Sequence, residues 1–334
     1  MNPADQPLPG PSQAGLSEAS DPNKPVILLR TDTTNQAQHH LVEALHRSTG
    51  LAVWLVADET ARFVELGPAT GKVSLTPQRF QELGLFTGPD TMWRCGDYAL
   101  YAAASVLSET YFWLIEPDVR IHMPDPGEFF AFFAGQQHVD FLACRLWETN
   151  SGWSWYSSMR PHADRVFSCL FPITRLSRRA IEYLLMRRRV LTTLHQACLA
   201  GGEAREWPND EVFCATELSN ANYRCMDINA FGRSFYTRES FGFLDAVALS
   251  RLAQTPHDGL IYHPVLSGEP FDRKLRQRLY HDGQDKLSQG QLLMRYGASV
   301  MEDLARECGE AAARQFADDL AKAVSSAPAD APPG

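Results

Sequence analysis

Two carboxylates separated by one proline, Glu116-Pro117-Asp118, directly follow the apolar run YFWLI at residues 111–115. Apolar residues without alternation are typical of a strand that is buried on both faces of a parallel sheet. Because a proline keeps the preceding residue extended, the strand should carry Glu116 to the carboxyl edge of the sheet, where α/β folds bind ligands. Two carboxylates there can hold Mn²⁺ or Mg²⁺ against a diphosphate. The alternative is an acidic turn that binds nothing.

A second acidic pair, Asp210-Glu211, stands near the start of a helix predicted for residues 208–218. A carboxylate within about 3 Å of a hydroxyl group can take its proton, so this pair could supply a general base. The alternative is structural, because acidic side chains stabilise helix N-termini through the macrodipole.

Four aromatic residues crowd a predicted loop: Trp147, Trp153, Trp155 and Tyr156. Exposed aromatic rings in a cleft offer flat apolar faces to sugar rings, and polar neighbours can fix the orientation of those sugars. The alternative is a small satellite core beneath a long loop. The three arginines at residues 187–189 lie within a predicted helix and are expected on a solvated face, with binding of anionic lipid as a second interpretation.

The elements that must position these residues begin with a βαβ pattern. Residues 26–29 predict a strand, residues 35–47 a helix and residues 51–56 a second strand, which indicates a parallel sheet with a right-handed crossover. Helical patterns follow at residues 78–83, 97–107, 127–135, 177–200, 208–218 and 284–324, and Ser177 can cap the helix that runs to Ala200. Further strands are predicted at residues 139–144, 167–173, 223–228 and 260–262.

Composition limits the class of protein. The 334 residues are 44% hydrophobic with a formal net charge of −9, which suits a globular protein and argues against a nucleic-acid partner. No apolar run approaches the ~20 residues of a transmembrane segment. The seven cysteines form no CxxC pair and are expected to be reduced, so we predict a cytoplasmic location, with peripheral attachment to the inner membrane face as an extension of it.

The segment YFWLIEPDVR at residues 111–120 resembles the strand and DxD motif of GT-A glycosyltransferases, here as the variant ExD. It is also similar to an (F/W)-x-I-E-x-D-V form of bacterial and fungal sugar transferases, and the element order is similar over residues 25–274. The resemblance implies an α/β fold of the GT-A type: a Rossmann-like, mostly parallel sheet flanked by helices, with a C-terminal helical extension. It further implies an enzyme of the bacterial surface-polysaccharide type.

On this basis the chain divides into four parts. We expect a disordered tail at residues 1–24, a GT-A domain at 25–283, a helical segment at 284–324 and a second disordered tail at 325–334. The tails are predicted from their Pro, Ser, Ala and Gly content, because such segments bury too little apolar surface to offset their ordering entropy.

The resemblance also implies roles for individual residues. Glu116, Asp118 and His263, which follows the last predicted strand, would hold the metal ion. The Pro-Asp-Glu stretch of branching N-acetylglucosaminyltransferases is similar to the sequence that ends at Glu211. That similarity implies that Glu211 is the catalytic base, with Asp210 as the alternative base. The residues implied in donor binding are Arg30, Thr31, Asp32, Asp97 and Glu116.

The predicted function is transfer of a sugar from a nucleotide-diphosphate sugar to an acceptor hydroxyl, with inversion and with Mn²⁺ or Mg²⁺ as cofactor. The acceptor would be a saccharide or a lipid-linked saccharide. One alternative is a nucleotide-sugar-binding module without transfer activity. The other alternative is a sugar nucleotidyltransferase, which ranks below the glycosyltransferase because the chain lacks the Gly-rich, basic first loop that binds a triphosphate.

Overall fold

The computed structural model describes residues 24–33, 36–65, 71–203 and 205–329, without the side chains of residues 36–38 and 40. The predicted N-terminal tail therefore lies outside the described residues, except for Lys24. The strands in these ranges are β1 (Val26–Thr31), β2 (Val53–Asp58), β3 (Gly71–Leu75), β4 (Tyr111–Ile115), β5 (Arg120–His122), β6 (Phe141–Glu148), β7 (Phe167–Ser177), β8 (Cys225–Asp227), β9 (Val247–Ala248), β10 (Leu260–Tyr262) and β11 (Val265–Leu266).

The helices in the same ranges are α1 (Gln36–Thr49), α2 (Pro77–Glu82), α3 (Thr91–Arg94), α4 (Asp97–Ala104), α5 (Gly127–Ala134), α6 (Tyr156–Met159), α7 (Arg178–Ala200), α8 (Asp210–Asn220), α9 (Leu249–Leu252), α10 (Gly268–Gln284), α11 (Gln289–Arg295), α12 (Ala298–Cys308) and α13 (Glu310–Ser326). Ser177 caps α7 as predicted, because its side chain accepts a hydrogen bond from the Ala180 amide. No helix in the described ranges is both long enough and apolar enough to cross a membrane.

The main sheet has seven strands in the order β3-β2-β1-β4-β7-β6-β8. The neighbouring pairs among β3, β2, β1 and β4 are parallel, as is β6 with β8, while β7 runs antiparallel to both of its neighbours. The carboxyl ends of β1 and β4 therefore meet at one edge of the sheet. The fold class predicted from the GT-A resemblance is confirmed.

Alternating side chains of β1 enter two separate cores. Val26 and Leu28 belong to the core beneath α4, α7 and α8, whereas Ile27 and Leu29 belong to the core that α1 and α5 cover. A strand that is apolar on both faces can be satisfied only when helices cover both sides of the sheet. This packing fixes the position of the strand end that carries the candidate site residues.

A third core lies among the C-terminal helices and contains Phe271, Leu292, Leu304 and Phe316. Because Phe271 belongs to α10, which begins at Gly268, this core contains residues from both sides of the predicted boundary at residue 284. The C-terminal tail prediction also began too early, because α13 continues to Ser326.

Several short elements differ from the sequence prediction. The edge strand β3 was not predicted, because its sequence GKVSL gives only a weak apolar signal. Strand β7 extends to Ser177, four residues past its predicted end. The predicted strand at residues 260–262 does form, but it pairs with β5 and not with the main sheet. All seven cysteines are free thiols, and four of them are buried.

The arginine triplet at residues 187–189 is not the solvated face that we predicted. Arg188 is fully buried, and its guanidinium forms a two-point ion pair with Asp97 at 2.7 and 3.2 Å. Tyr101 donates to the same carboxylate at 2.7 Å, and Arg188 also donates to the carbonyl oxygen of Pro208 at 2.8 Å. Helical periodicity alone did not indicate this role, because the partner carboxylate is 91 residues away in sequence.

We expect Asp97→Asn to lower the free energy of unfolding by about 3–5 kcal/mol, because it leaves the Arg188 charge buried and unpaired. Asp164→Asn is the matched control, since its ion pair with Arg160 is at the surface and should contribute little. Urea denaturation followed by circular dichroism measures both variants. Equal midpoints for the two variants would contradict the structural role of Asp97.

Candidate active site

Glu116 lies immediately beyond the carboxyl end of β4, and its amide donates to the carbonyl oxygen of Pro172 at 2.8 Å. Its carboxylate forms an ion pair with Arg30, the penultimate residue of β1. Burial raises the pKa of Glu116 above its ordinary value even though Arg30 opposes that shift. Arg30 also donates to the carbonyl oxygen of Met92 at 2.5 Å. The guanidinium of Arg30 therefore links the carboxyl ends of β1 and β4 to α3.

This pairing corrects one part of the predicted metal site. Within the described residues, no three His, Cys, Asp or Glu side chains are arranged to hold a metal ion. Glu116 is unsuitable as the third ligand because Arg30 already neutralises its carboxylate. Its pairing with Arg30 places it in a charged cluster at the carboxyl edge of the sheet.

Asp118 and His263 do come together. The Nε2 atom of His263 lies 3.5 Å from Oδ1 of Asp118, and the Asp118 carbonyl oxygen accepts from the Val265 amide at 2.8 Å. The Nδ1 atom of His263 lies 2.5 Å from the carbonyl oxygen of Gly242. Since a carbonyl oxygen only accepts, Nδ1 must carry a proton. Nε2, which faces the Asp118 carboxylate, can either donate to it or offer a lone pair to a metal ion that the two residues share.

A divalent cation can take Oδ1 of Asp118 and an unprotonated Nε2 of His263 as two adjacent ligands. With metal–ligand distances of about 2.1 Å, two adjacent ligands of Mg²⁺ lie about 3 Å apart, so the Asp118–His263 separation is close to that of a shared metal ion. The hydrogen bond from Nδ1 to a backbone carbonyl is the outer contact that usually orients a ligating histidine. Asp118 and His263 therefore fit an ion that takes its other ligands from phosphate and water.

Lys274 is a candidate site residue that sequence analysis missed. It lies in α10, and burial lowers the pKa of its ammonium group although the nearby Asp118 carboxylate opposes that shift. A lysine in a helix with three arginines gave no distinguishing signal in the sequence. The tertiary structure brings this cation from the C-terminal helices to the strand edge, where it can contact an anionic ligand.

Asp210 and Glu211 begin α8, whose cap is the side chain of Asn209. The Asp210 carboxylate accepts from the Gly96 amide at 2.7 Å and from the Glu211 amide at 2.8 Å. A Cβ atom on Gly96 would lie 2.6 Å from Asp210 Oδ2 and 2.9 Å from Nη1 of Arg30. Asp210 is thus packed against the Arg30–Glu116 pair.

The two acids differ in their environment. Asp210 is buried, and that burial, together with the charges of Glu211 and Asp97, raises the pKa of its carboxyl well above the ordinary value. Glu211 is only partly buried, and burial raises its pKa to about 7 although Asn209 opposes the shift. Glu211 can therefore exchange a proton near neutral pH, as a general base must.

The remaining residues predicted to contact the donor, Thr31, Asp32 and Asp97, lie in different environments. Thr31 is buried and donates from its hydroxyl to the carbonyl oxygen of Thr33, whereas Asp32 is exposed beside Arg62. Asp97 is fully buried in the ion pair with Arg188, so its predicted contact with the donor is wrong. The physical reason is that its carboxylate has no exposed surface to offer a ligand.

The four predicted acceptor aromatics do not form one patch. Trp147 is 45% exposed, and Trp153 packs towards Phe243 with a ring separation of 6.3 Å. Trp155 packs against the core beneath α4, α7 and α8, and its ring lies 5.6 Å from the exposed ring of Trp93. Tyr156 packs against the core beneath α4, α7 and α8. Sequence analysis did not single out Trp93, which is 71% exposed.

No protein-family model matches this sequence, and no curated protein matches it. Similar solved structures include the galactosyltransferase LgtC, at 10% identity and a TM-score of 0.37, covering 71% of this chain and 86% of that chain. Mouse xyloside xylosyltransferase 1 has 11% identity and a TM-score of 0.34, with 72% and 97% covered. CMP:2-keto-3-deoxy-manno-octonic acid synthetase has 10% identity and a TM-score of 0.29, with 59% and 97% covered. At these scores the likenesses carry no argument about function.

We expect Glu211→Gln to stabilise the protein at pH 8 but not at pH 4. Because its pKa is raised, the Glu211 carboxyl binds a proton more tightly in the folded state than in the unfolded state. The protein therefore loses stability as pH rises from about 4.3, the pKa of an unfolded glutamate, towards 7. Glutamine does not titrate, so the gain should approach about 3 kcal/mol above pH 7. Urea denaturation at both pH values measures it, with the exposed Glu128→Gln as control. A gain in stability that does not depend on pH would contradict the raised pKa of the Glu211 carboxyl.

Proposed function

We propose that this chain is a glycosyltransferase that moves a sugar from a nucleotide-diphosphate sugar to an acceptor hydroxyl, with inversion and with the help of Mn²⁺ or Mg²⁺. The observation that carries the proposal is the pair of Asp118 and His263. Oδ1 of Asp118 and Nε2 of His263 are 3.5 Å apart, beyond the carboxyl end of a central parallel strand and near the Lys274 ammonium group. This is the edge at which α/β sheets bind nucleotides and phosphates.

The donor side of the cleft follows from these groups. When bound, the divalent ion would neutralise the charge that develops on the diphosphate leaving group. Asp118 and His263 would hold the ion, and the Lys274 ammonium would contact the same phosphates. The Arg30–Glu116 pair would form the adjoining wall, where Asp32 offers an exposed carboxylate to the ribose hydroxyls.

The acceptor side depends on α8. Glu211 would accept the proton of the acceptor hydroxyl, because its pKa of about 7 leaves a large fraction ionised at neutral pH. Asp210 would act as a positioning residue, since its two hydrogen bonds fix the first turn of the helix. A base on the acceptor side requires direct displacement, and the product would therefore have the inverted anomeric configuration.

The catalytic unit in this proposal spans residues 25–283, because α10 contributes Lys274. The segment 284–324 would support α10 through the shared third core. A cytoplasmic enzyme that meets a saccharide or a lipid-linked saccharide at the inner membrane face is consistent with a chain in which the described helices do not cross a membrane.

The first test is metal-dependent release of UDP or GDP from nucleotide sugars, measured by ion-exchange chromatography. We expect Asp118→Asn to lower this rate by at least about 10²-fold, because the charge that holds the ion is lost. Asp285→Asn, at an exposed position beyond α10, should leave the rate unchanged. Full activity of Asp118→Asn would contradict the role of Asp118 in binding a metal ion.

The same assay distinguishes the alternative functions. Release of pyrophosphate during nucleotide-sugar formation would indicate a nucleotidyltransferase, and the absence of any turnover would indicate a binding module.

His263→Ala should raise the Mn²⁺ concentration required for half-maximal activity by about 10–100-fold, the usual effect of disturbing a metal site. Nucleotide affinity, measured by calorimetry with UDP or GDP alone, should change far less. Unchanged metal titration curves in this variant would indicate that His263 has a structural role and does not bind the metal ion.

Glu211→Gln should lower kcat for transfer by about 10²–10⁴-fold, which is the usual contribution of a general base. Donor affinity should change little, because the base contacts the acceptor and not the diphosphate. The pH–rate profile of the unaltered protein should rise with pH through about 7, since the ionised form is the active one. Product with retained configuration would exclude this role for Glu211.

A further inference from the structure

Trp93 is an unusual residue for this surface. It lies in the short helix α3, and 71% of it is exposed, although contact between a large apolar ring and water is unfavourable. The ring of Trp155, from the loop after β6, lies 5.6 Å away at an angle of 63°. The two rings form an L-shaped aromatic surface, here called the Trp93–Trp155 platform.

Charged and polar side chains border this platform. The guanidinium of Arg94 lies 4.8 Å from the Trp155 ring centre and 5.8 Å from that of Trp93. Arg94 is held by Glu206 at 3.1 Å, and the Ser157 hydroxyl donates to the other oxygen of Glu206 at 3.4 Å. An apolar face with hydrogen-bonding groups at its edge matches a sugar ring, which has C–H groups on its faces and hydroxyls around its rim.

The platform adjoins the candidate active site through the backbone of its own helix. The carbonyl oxygen of Met92, the residue before Trp93, accepts from Arg30. The amide of Gly96, three residues after Trp93, donates to the Asp210 carboxylate. The segment that carries Trp93 is therefore anchored at both ends to residues of the cleft.

We propose that the Trp93–Trp155 platform binds a neutral saccharide ring of the acceptor, with Arg94 and Glu206 contacting its hydroxyls. The assignment rests on the proposed function and names the acceptor subsite of that same cleft. A saccharide is favoured over the donor nucleotide because two carboxylates, Glu206 and Asp90, lie within 4 Å of the single Arg94 cation. That excess of negative charge disfavours a ligand that carries a diphosphate.

Saturation-transfer NMR on the full chain tests the platform without any turnover. The probes are methyl β-D-glucoside, methyl β-D-galactoside and methyl α-D-mannoside, with UMP as the nucleotide probe, and the aromatic protons of the protein are irradiated. At least one glycoside should receive saturation, and Trp93→Ala should weaken its binding about tenfold, as expected for loss of one aromatic contact. Tyr280→Ala, which removes an exposed aromatic ring from α10, is the matched control and should keep the signal.

Three outcomes would overturn the proposal. The glycosides could receive no saturation, or Trp93→Ala could bind them as the unaltered protein does. UMP could also lose its signal in Trp93→Ala while the glycosides keep theirs, which would assign the platform to the nucleotide. The proposed function is tested separately by metal-dependent nucleotide release from the unaltered protein without acceptor, so failure of one does not imply failure of the other.

Discussion

The buried ion pair of Arg188 and Asp97 is the constraint on which the arrangement of the cleft depends. Neither side chain is exposed, so each charge needs the other to be tolerated in the core. Asp97 opens α4 directly after Gly96, and Arg188 also holds the carbonyl oxygen of Pro208, two residues before Asp210. The pair thus fixes both sides of the contact between Gly96 and Asp210. It sets the orientation of the first turn of α8, where Glu211 lies.

The charged side chains near the first turn of α8 form two groups. Arg30, Glu116 and Asp210 lie close together, and the one cation offsets part of the cost of burying two carboxylates. Asp118, His263 and Lys274 form the second group, closer to the C-terminal helices. The side chains of the first group are paired with one another. The second group combines a carboxylate, an imidazole ring and an ammonium group, and these side chains can contact a ligand.

The C-terminal helices take part in the site through α10. This helix packs into the third core through Phe271 and Leu275, and it carries Lys274 on its partly exposed face. Because the amide of Val265 donates to the Asp118 carbonyl, the segment that leads into α10 is also tied to the strand edge. The C-terminal helices are therefore packed together with the strand edge, and damage to the third core should disturb the positions of Asp118 and Lys274.

The sequence by itself determined the βαβ start, the buried strand before Glu116, the capped helix after Ser177 and the acids that begin α8, because these follow from local periodicity, proline and capping. It also placed Asp118 and His263 among the candidates. Only the tertiary structure decided that Arg30 neutralises Glu116 and that Asp97 and Arg188 pair in the core. It also decided that Lys274 comes near Asp118 and that the helix carrying Trp93 contacts Arg30. Each of these depends on contacts between distant parts of the chain, and burial, which decides whether a charge binds a ligand or a neighbour, is not encoded in local pattern.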